Sequence, residues 1–291
     1  MLYKLSEEEL RSICRKNIES LEKWARNIID MRLKKAHGDN YFYKILENGE
    51  PLFKKSITEK AEKMLVENSQ IFSRPIDTLY LDEIIYVLCK KKLYNENFKE
   101  FLKIMYPNGA EEVRTFLKRL IPIRNKLSHA NPLSIREAEQ CICYCNDFID
   151  GVKQYYNQIG VERVYNVPNA IKLTDSLGRS YDLNKDISFE SIFIGDGKDY
   201  NNLHSFELGD KYVAWLDLDP SFSEDDYIFN WHIECGDTVS TKSKLELEIT
   251  ENLIREKLAI YCTIKSKKNW HRYNGYDQQF AIVFQVLPPR D

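Results

Sequence analysis

Apolar positions in the first 160 residues recur three and four apart, the spacing of one face of an α-helix. Leu10, Cys14, Ile18, Leu21, Ala25 and Ile28 form the first such stripe, and Trp24 and Ile29 widen it. Ser6 and Glu9 precede it in the capping-box pattern. Gly38 and Asp39 close it after a last turn carrying Lys34, Lys35 and His37, cations that suit the helix dipole. Residues 40–110 predict further helices, broken at Asn48-Gly49, Arg74-Pro75 and Pro107-Asn108-Gly109. The clearest of these runs from Ile76 to Leu93, with Leu79, Ile84, Val87 and Leu88 on its core face. Val113, Phe116, Leu120, Ile123 and Leu127 mark a helix from Ala110 to Ala130, which Pro122 is predicted to kink. Ser134 and Glu137 repeat the capping box, and Ala138, Cys141, Ile142, Cys145, Phe148, Ile149 and Val152 carry a last helix to Gln158. The pattern therefore predicts an all-α helical bundle over residues 1–160.

The period changes after Gly160. Short β-rich segments follow: Arg163–Val167, Ala170–Thr174, Ile187–Ile194, Lys211–Leu218, Tyr227–Ile233, Leu245–Ile249, Leu258–Ile264 and Phe280–Leu287. Turn residues separate them at Gly178, Gly195-Asp196-Gly197, Gly209-Asp210, Asp219-Pro220, Gly236-Asp237 and Asn274-Gly275. This spacing predicts an all-β sandwich over residues 161–291, with no parallel sheet and no long helix beyond Ala170. Trp231, in the middle of its segment, sits where an immunoglobulin-like sandwich keeps its central tryptophan. The cysteine pair that joins the sheets in such domains is absent, since only Cys262 lies within a predicted strand.

One stretch carries candidate chemistry. At the end of the stripe that begins at Val113 stand Arg124, Asn125 and His129. Asn125 and His129 are four apart and share a helical face that the core stripe does not need. Histidine is the side chain whose ordinary pKa lies nearest neutrality, which suits proton transfer. Arginine presents a planar, charged fork to phosphate oxygens. Lys118, Arg119 and Lys126 lie on the same helix as further candidate RNA contacts. On a straight helix Arg124 and His129 point about 140° apart, so one helix does not bring them to one point. Leu117 and Ile121 also widen the apolar stripe toward Arg124. Both features predict a homodimer through the motif helix.

The pattern Arg124-Asn125-x-x-x-His129 near a helix end resembles the signature of HEPN ribonucleases, and the resemblance covers about half of the chain. It implies a HEPN-like α-domain and a metal-independent endoribonuclease. In that activity the ribose 2′-hydroxyl attacks the adjacent phosphate, leaving a cyclic phosphate and a 5′-hydroxyl. Arg124 would bind the scissile phosphate, His129 would move the proton and Asn125 would orient His129. The resemblance further implies a toxin or anti-phage defence effector acting on RNA, with no cofactor. An inhibitor or trigger protein would then be bound by the β-domain. Family members paired with nucleotidyltransferase-like antitoxins carry a tyrosine two residues after the histidine; here that residue is Asn131. Two other readings stay open: a non-catalytic dimerisation scaffold, and a nucleotide-binding sensor that uses Arg124 as a phosphate clamp.

Charge sharpens the division of labour. Residues 1–160 hold 27 Lys+Arg and 23 Asp+Glu, while residues 161–291 hold 15 and 22. The mildly basic first half can accept a polyanion; the acidic second half is a poor platform for one. Seven cysteines without framework spacing read as reduced thiols, and the capped amphipathic N-terminal helix is no signal peptide. With no long apolar run, the expectation is a cytoplasmic protein without a membrane span. Cys141, Cys143 and Cys145 lack zinc-site spacing and read as packing residues. Asp217, Asp219, Glu224, Asp225 and Asp226 read as the wet side of a strand and a loop. Lys265, Lys267, Lys268, Trp270, His271, Arg272 and Tyr273 read as a charged hairpin loop.

Overall fold

The computed structural model describes all residues except 1, 48, 69–71, 73, 163–165, 184–191, 195–202, 235, 237 and 290–291. The chain divides into two compact units, Met1–Gly160 and Val161–Asp291. Helices fill the first and β-sheets the second. Among the described residues no helix is long and apolar enough to cross a membrane.

The first unit is framed by two long helices, α1 (Glu7–His37) and α8 (Ile135–Gln158), which pack along each other. Both begin as their sequences dictate. Ser6 Oγ accepts from the Glu9 N–H, and Ser6 N–H donates back to Glu9 Oε2 at 2.7 Å. Ser134 and Glu137 repeat the exchange at α8. The stripe from Leu10 to Leu33 on α1 is buried, as are Ala138, Cys141, Cys145, Phe148, Ile149 and Val152 on α8. A short helix α2 (Lys55–Glu67) follows α1.

The long helix expected from Ile76 to Leu93 is instead broken into short pieces. A 3₁₀ turn, Pro75–Thr78, is followed by α3 (Leu81–Cys89), a short α4 (Lys91–Leu93), and a π turn, Tyr94–Phe98, that leads into α5 (Lys99–Met105). The breaks have a common physical cause. Each frees carbonyl groups that a helix would have bonded, and a long cation from another helix takes them. Lys60 Nζ bonds Thr78 O at 3.0 Å, and Arg26 bonds Leu79 O through Nε at 3.0 Å and Nη2 at 2.6 Å. Arg114 Nη2 takes Cys89 O at 2.9 Å, and Arg32 Nε takes Asn97 O at 2.8 Å inside the π turn. No pattern of apolar positions announces such bonds, because they join residues far apart in sequence. Gly151 shows how closely α5 and α8 approach: a Cβ there would lie 2.4 Å from Met105 Cγ.

The helix expected over Ala110–Ala130 is two, α6 (Ala110–Lys118) and α7 (Leu120–Ser128), joined at Arg119. Pro122 has no N–H to offer Lys118 O and its ring crowds that carbonyl, so the helix breaks one turn earlier.

In the second unit two sheets share one core. The first has the order β2 (Ser180–Asp182), β1 (Ala170–Asp175), β5 (Lys211–Leu218), β8 (Lys244–Glu248). The second has the order β3 (Ile192–Ile194), β10 (Gln278–Val286), β9 (Arg255–Ser266), β6 (Tyr227–Ile233), β7 (Thr238–Ser240), and β4 (Ser205–Phe206) also pairs β10. Alternate residues Leu258, Ile260, Cys262 and Ile264 of β9 face Ala170, Leu173, Tyr212 and Leu245 of the other sheet within that core. Trp231 is fully buried, lies edge-on to Phe280 at 5.5 Å, and donates from Nε1 to Lys242 O at 2.9 Å.

Two expectations need correction here. The second sheet is not purely antiparallel, because β3 and β4 both run parallel to β10 at its outer edge. β3 and β4 stand far from β10 in sequence, so no hairpin turn signals the pairing. Of the segment Arg163–Val167, Asn166 and Val167 form a bend, and 163–165 lie outside the described residues, as do 187–191 of Ile187–Ile194 and the turn at 195–197.

Truncating Trp231 removes a large buried ring and one hydrogen bond. We expect Trp231→Ala to destabilise the second unit by about 3–5 kcal/mol. Denaturant unfolding followed by helical circular dichroism should keep its midpoint, while a β-unit probe shifts; a common shift of both would show that the units unfold together.

Candidate functional site

α7 is held on three sides, by α1, α6 and α8. Leu120, Ile123 and Leu127 anchor its inner face and are buried. Leu117 is also fully buried within the chain and Ile121 is half-buried, so most of the stripe's extra width is covered inside the bundle.

The carboxyl end of α7 has an unusual construction. His129 is the C-cap residue, and its N–H donates to Asn125 O at 3.0 Å. Ala130 follows with φ +53°, the left-handed region, and Asn131 N–H returns to Lys126 O at 2.9 Å. This is a Schellman-type ending, built on alanine where glycine is the usual residue. Arg11 on α1 completes it, donating Nη2 to Leu127 O at 3.0 Å and Nη1 to Asn131 O. His129 itself is exposed, on a turn that Arg11 and the backbone fix.

Arg124 is half-buried one helical turn earlier. Its guanidinium lies over the Tyr80 ring, Cζ 5.4 Å from the centroid, and Nη1 donates to Asn125 Oδ1 at 3.4 Å. Asn125 is thus the link in the motif: its side chain takes Arg124 and its carbonyl takes the His129 N–H. The side chain that was expected to orient the imidazole bonds the guanidinium.

The other half-buried arginines of this unit are neutralised or used structurally. Arg26 meets Glu22 at 2.7 Å, Arg32 meets Glu100 at 3.2 Å, Arg74 meets Asp77 at 2.7 Å and Arg114 meets Glu111 at 2.6 Å. Arg11 takes helix-end carbonyls, as described. Among the described residues no carboxylate lies within ion-pair distance of Arg124. Its charge reaches the Glu22 carboxylate. Burial pushes the Glu22 carboxyl above its usual range, while Arg26 and Arg124 pull the other way. Glu22 accepts hydrogen bonds from Arg26 and from the backbone of Leu81 at the start of α3. A half-buried guanidinium left with open donors beside an exposed aromatic ring is suited to an anion from solution.

The three further candidate contacts differ in what they offer. Lys118 is exposed. Arg119 lies over Phe116 and Tyr144 and donates to Tyr144 Oη at 2.7 Å. Lys126 bonds Glu137 at 2.7 Å, and that bond with the Ser134 cap holds the Glu137 carboxyl down to about 2. Lys126 thus ties α7 to the start of α8, and its charge is largely answered within the chain.

The rival constellations have structural roles. Cys141 and Cys145 are buried and Cys143 is exposed; the hydrogen bond with Cys141, with burial behind it, pushes the Cys14 thiol far up. Asp219 is buried and accepts from Ser221 N–H at 3.0 Å in a loop turn. In the hairpin loop between β9 and β10, buried Asp277 accepts from Ser266 N–H, Arg272 N–H and His271 Nδ1. Lys268 donates there to Asn166 O at 2.6 Å. Among the described residues no group of three or more His, Cys, Asp or Glu is placed to hold a metal. Tyr80, Glu22 and Arg11 escaped the sequence reading because they stand on other helices; no periodicity ties them to Arg124.

Comparisons with protein-family models, with curated proteins and with solved structures find no match.

The left-handed Ala130 has a cost in stability that glycine would avoid. A residue with a Cβ pays about 1–2 kcal/mol in this region, and glycine returns part of that through its looser unfolded state. We expect Ala130→Gly to stabilise the protein by about 0.5–1 kcal/mol net. An unchanged or lower denaturation midpoint would show that the turn is not strained.

Proposed function

We propose that this chain is a metal-independent endoribonuclease of the HEPN type, working in a cytoplasm as a toxin or anti-phage effector. The observation that carries the reading is Arg124: a half-buried guanidinium with no ion-pair partner among the described residues, on the same short helix as an exposed histidine. Such a cation has donors for the non-bridging oxygens of a phosphodiester and stabilises the charge that grows on them. His129 moves the protons: as a base it takes one from the 2′-hydroxyl, as an acid it gives one to the departing 5′-oxygen. The ribose oxygen forms the new bond to phosphorus and the 5′-oxygen leaves, so a cyclic phosphate and a 5′-hydroxyl result without net consumption of water.

His129 lies at the helix cap and Arg124 turns inward over Tyr80, so a second copy facing the first across a two-fold axis is the arrangement in which one strand of RNA meets both. The β-unit supports an immunoglobulin-like reading. Its order β1-β5-β8 against β6-β9-β10 follows the A-B-E and C-F-G order of that fold, with Trp231 on β6 in the place of strand C. We assign it the recognition of an inhibitor or trigger protein. A nucleotide-binding sensor draws on the same Arg124–Tyr80 pair, but it needs Arg124 and can lose His129.

The test uses purified full-length variants on mixed RNA. His129→Ala should lose about 10²–10⁴-fold in rate with folding unchanged. Arg124→Lys should recover little of what Arg124→Ala loses, because an ammonium cannot grip phosphate through two donors. Equal mixing of Arg124→Ala and His129→Ala proteins should restore cleavage, since one site of each mixed dimer is then intact. Parent-like cutting by His129→Ala would overturn the nuclease reading. A mixture as inactive as its components would overturn the composite site.

A further inference from the structure

Tyr80 is 42% exposed, between the Pro75–Thr78 turn and α3. It is the residue just before α3, and its backbone N–H is held by Glu83 Oε2 at 2.9 Å. Two cations from two other helices converge on its ring: Lys60 of α2, with Nζ 3.9 Å from the centroid, and Arg124 of α7 at 5.4 Å. Lys60 is fixed in turn by Glu83 and by Thr78 O. The ring is therefore a solvent-facing ledge, anchored at its backbone and tied through one cation to the motif. Its hydroxyl reaches Met64 Sδ at 3.9 Å, yet much of the ring stays open to water.

We propose that Tyr80 is a nucleobase-stacking position that seats the nucleotide next to the phosphate held by Arg124. The proposal rests on the ribonuclease reading and extends it to substrate choice. Single-stranded RNA is bound by aromatic faces that take bases and cations that take the backbone, and here both chemistries meet on one short surface. A base laid along the Tyr80–Arg124 ledge leaves its own phosphate within reach of the guanidinium. The same contact favours unpaired RNA over duplex, because a base must leave its stack to reach the ring. Lys60, answered by Glu83, shapes the ledge and contributes little net charge.

Binding can be read apart from cutting. The probe is a short unstructured RNA carrying 2-aminopurine, titrated against the full-length His129→Ala protein, which should bind without cleaving. Stacking on Tyr80 should quench the 2-aminopurine fluorescence. Tyr80→Ala in that background should abolish the quench and weaken binding about 10- to 100-fold. Tyr80→Phe and Tyr80→Trp should restore both, since each keeps an aromatic face for the base. In the cleaving parent, Tyr80→Ala should raise KM for single-stranded RNA more than it lowers kcat. If Tyr80→Ala binds and quenches like its parent, the stacking position is wrong, while intact cleavage would leave the nuclease reading standing. If no RNA binds and none is cut, both fall. Competition by adenosine monophosphate as effective as by RNA would assign the ledge to a free nucleotide and overturn the RNA proposal.

Discussion

The helical unit depends on how its broken helices satisfy their end carbonyls. A helix end leaves carbonyl groups without partners, and burying them unbonded is costly. Here long cationic side chains on neighbouring helices take them. α1 supplies three: Arg11 to Leu127 and Asn131, Arg26 to Leu79, and Arg32 to Asn97. Lys60 and Arg114 add Thr78 and Cys89. These bonds allow the chain to turn at Thr78–Tyr80 and at Cys89–Lys90, places where apolar periodicity alone would continue a helix, and fix the turn after Ser128.

The candidate site follows from that arrangement. Because Arg26 and Lys60 take the carbonyls of Leu79 and Thr78 ahead of α3, Tyr80 emerges beside α7 and meets Arg124. Because Arg11 holds the end of α7, Ala130 is kept in a left-handed conformation and His129 is presented on a fixed turn. Arg124 then stands out by contrast. The other half-buried arginines of this unit bond main-chain carbonyls or carboxylates, whereas among the described residues Arg124 bonds the Asn125 side chain and lies over Tyr80.

Much of the architecture is legible in the pattern of apolar residues. The capping boxes at Ser6 and Ser134 and the stripes of α1 and α8 depend on neighbours in sequence, and the structure has them. The period-two segments at Lys211–Leu218 and Tyr227–Ile233 became β5 and β6 with those bounds. The division of Ile76–Leu93 was not legible, because Arg26, Lys60 and Arg114 act across the fold. The same holds for the parallel edge on β10, whose partners arrive from distant segments. Arg124, Asn125 and His129 were legible as residue types, but not their geometry. Asn125 turned to the guanidinium, and Tyr80 was invisible beside Arg124 because 44 positions separate them.

The most direct measurement of the account is the chemistry of the cut ends. Purified full-length protein is incubated with mixed RNA in excess chelator, and the termini of the fragments are identified. The account predicts fragments ending in cyclic phosphate and beginning with 5′-hydroxyl, formed at the same rate with and without the chelator. Fragments with 3′-hydroxyl and 5′-phosphate ends, or cleavage that stops when divalent ions are removed, would contradict it.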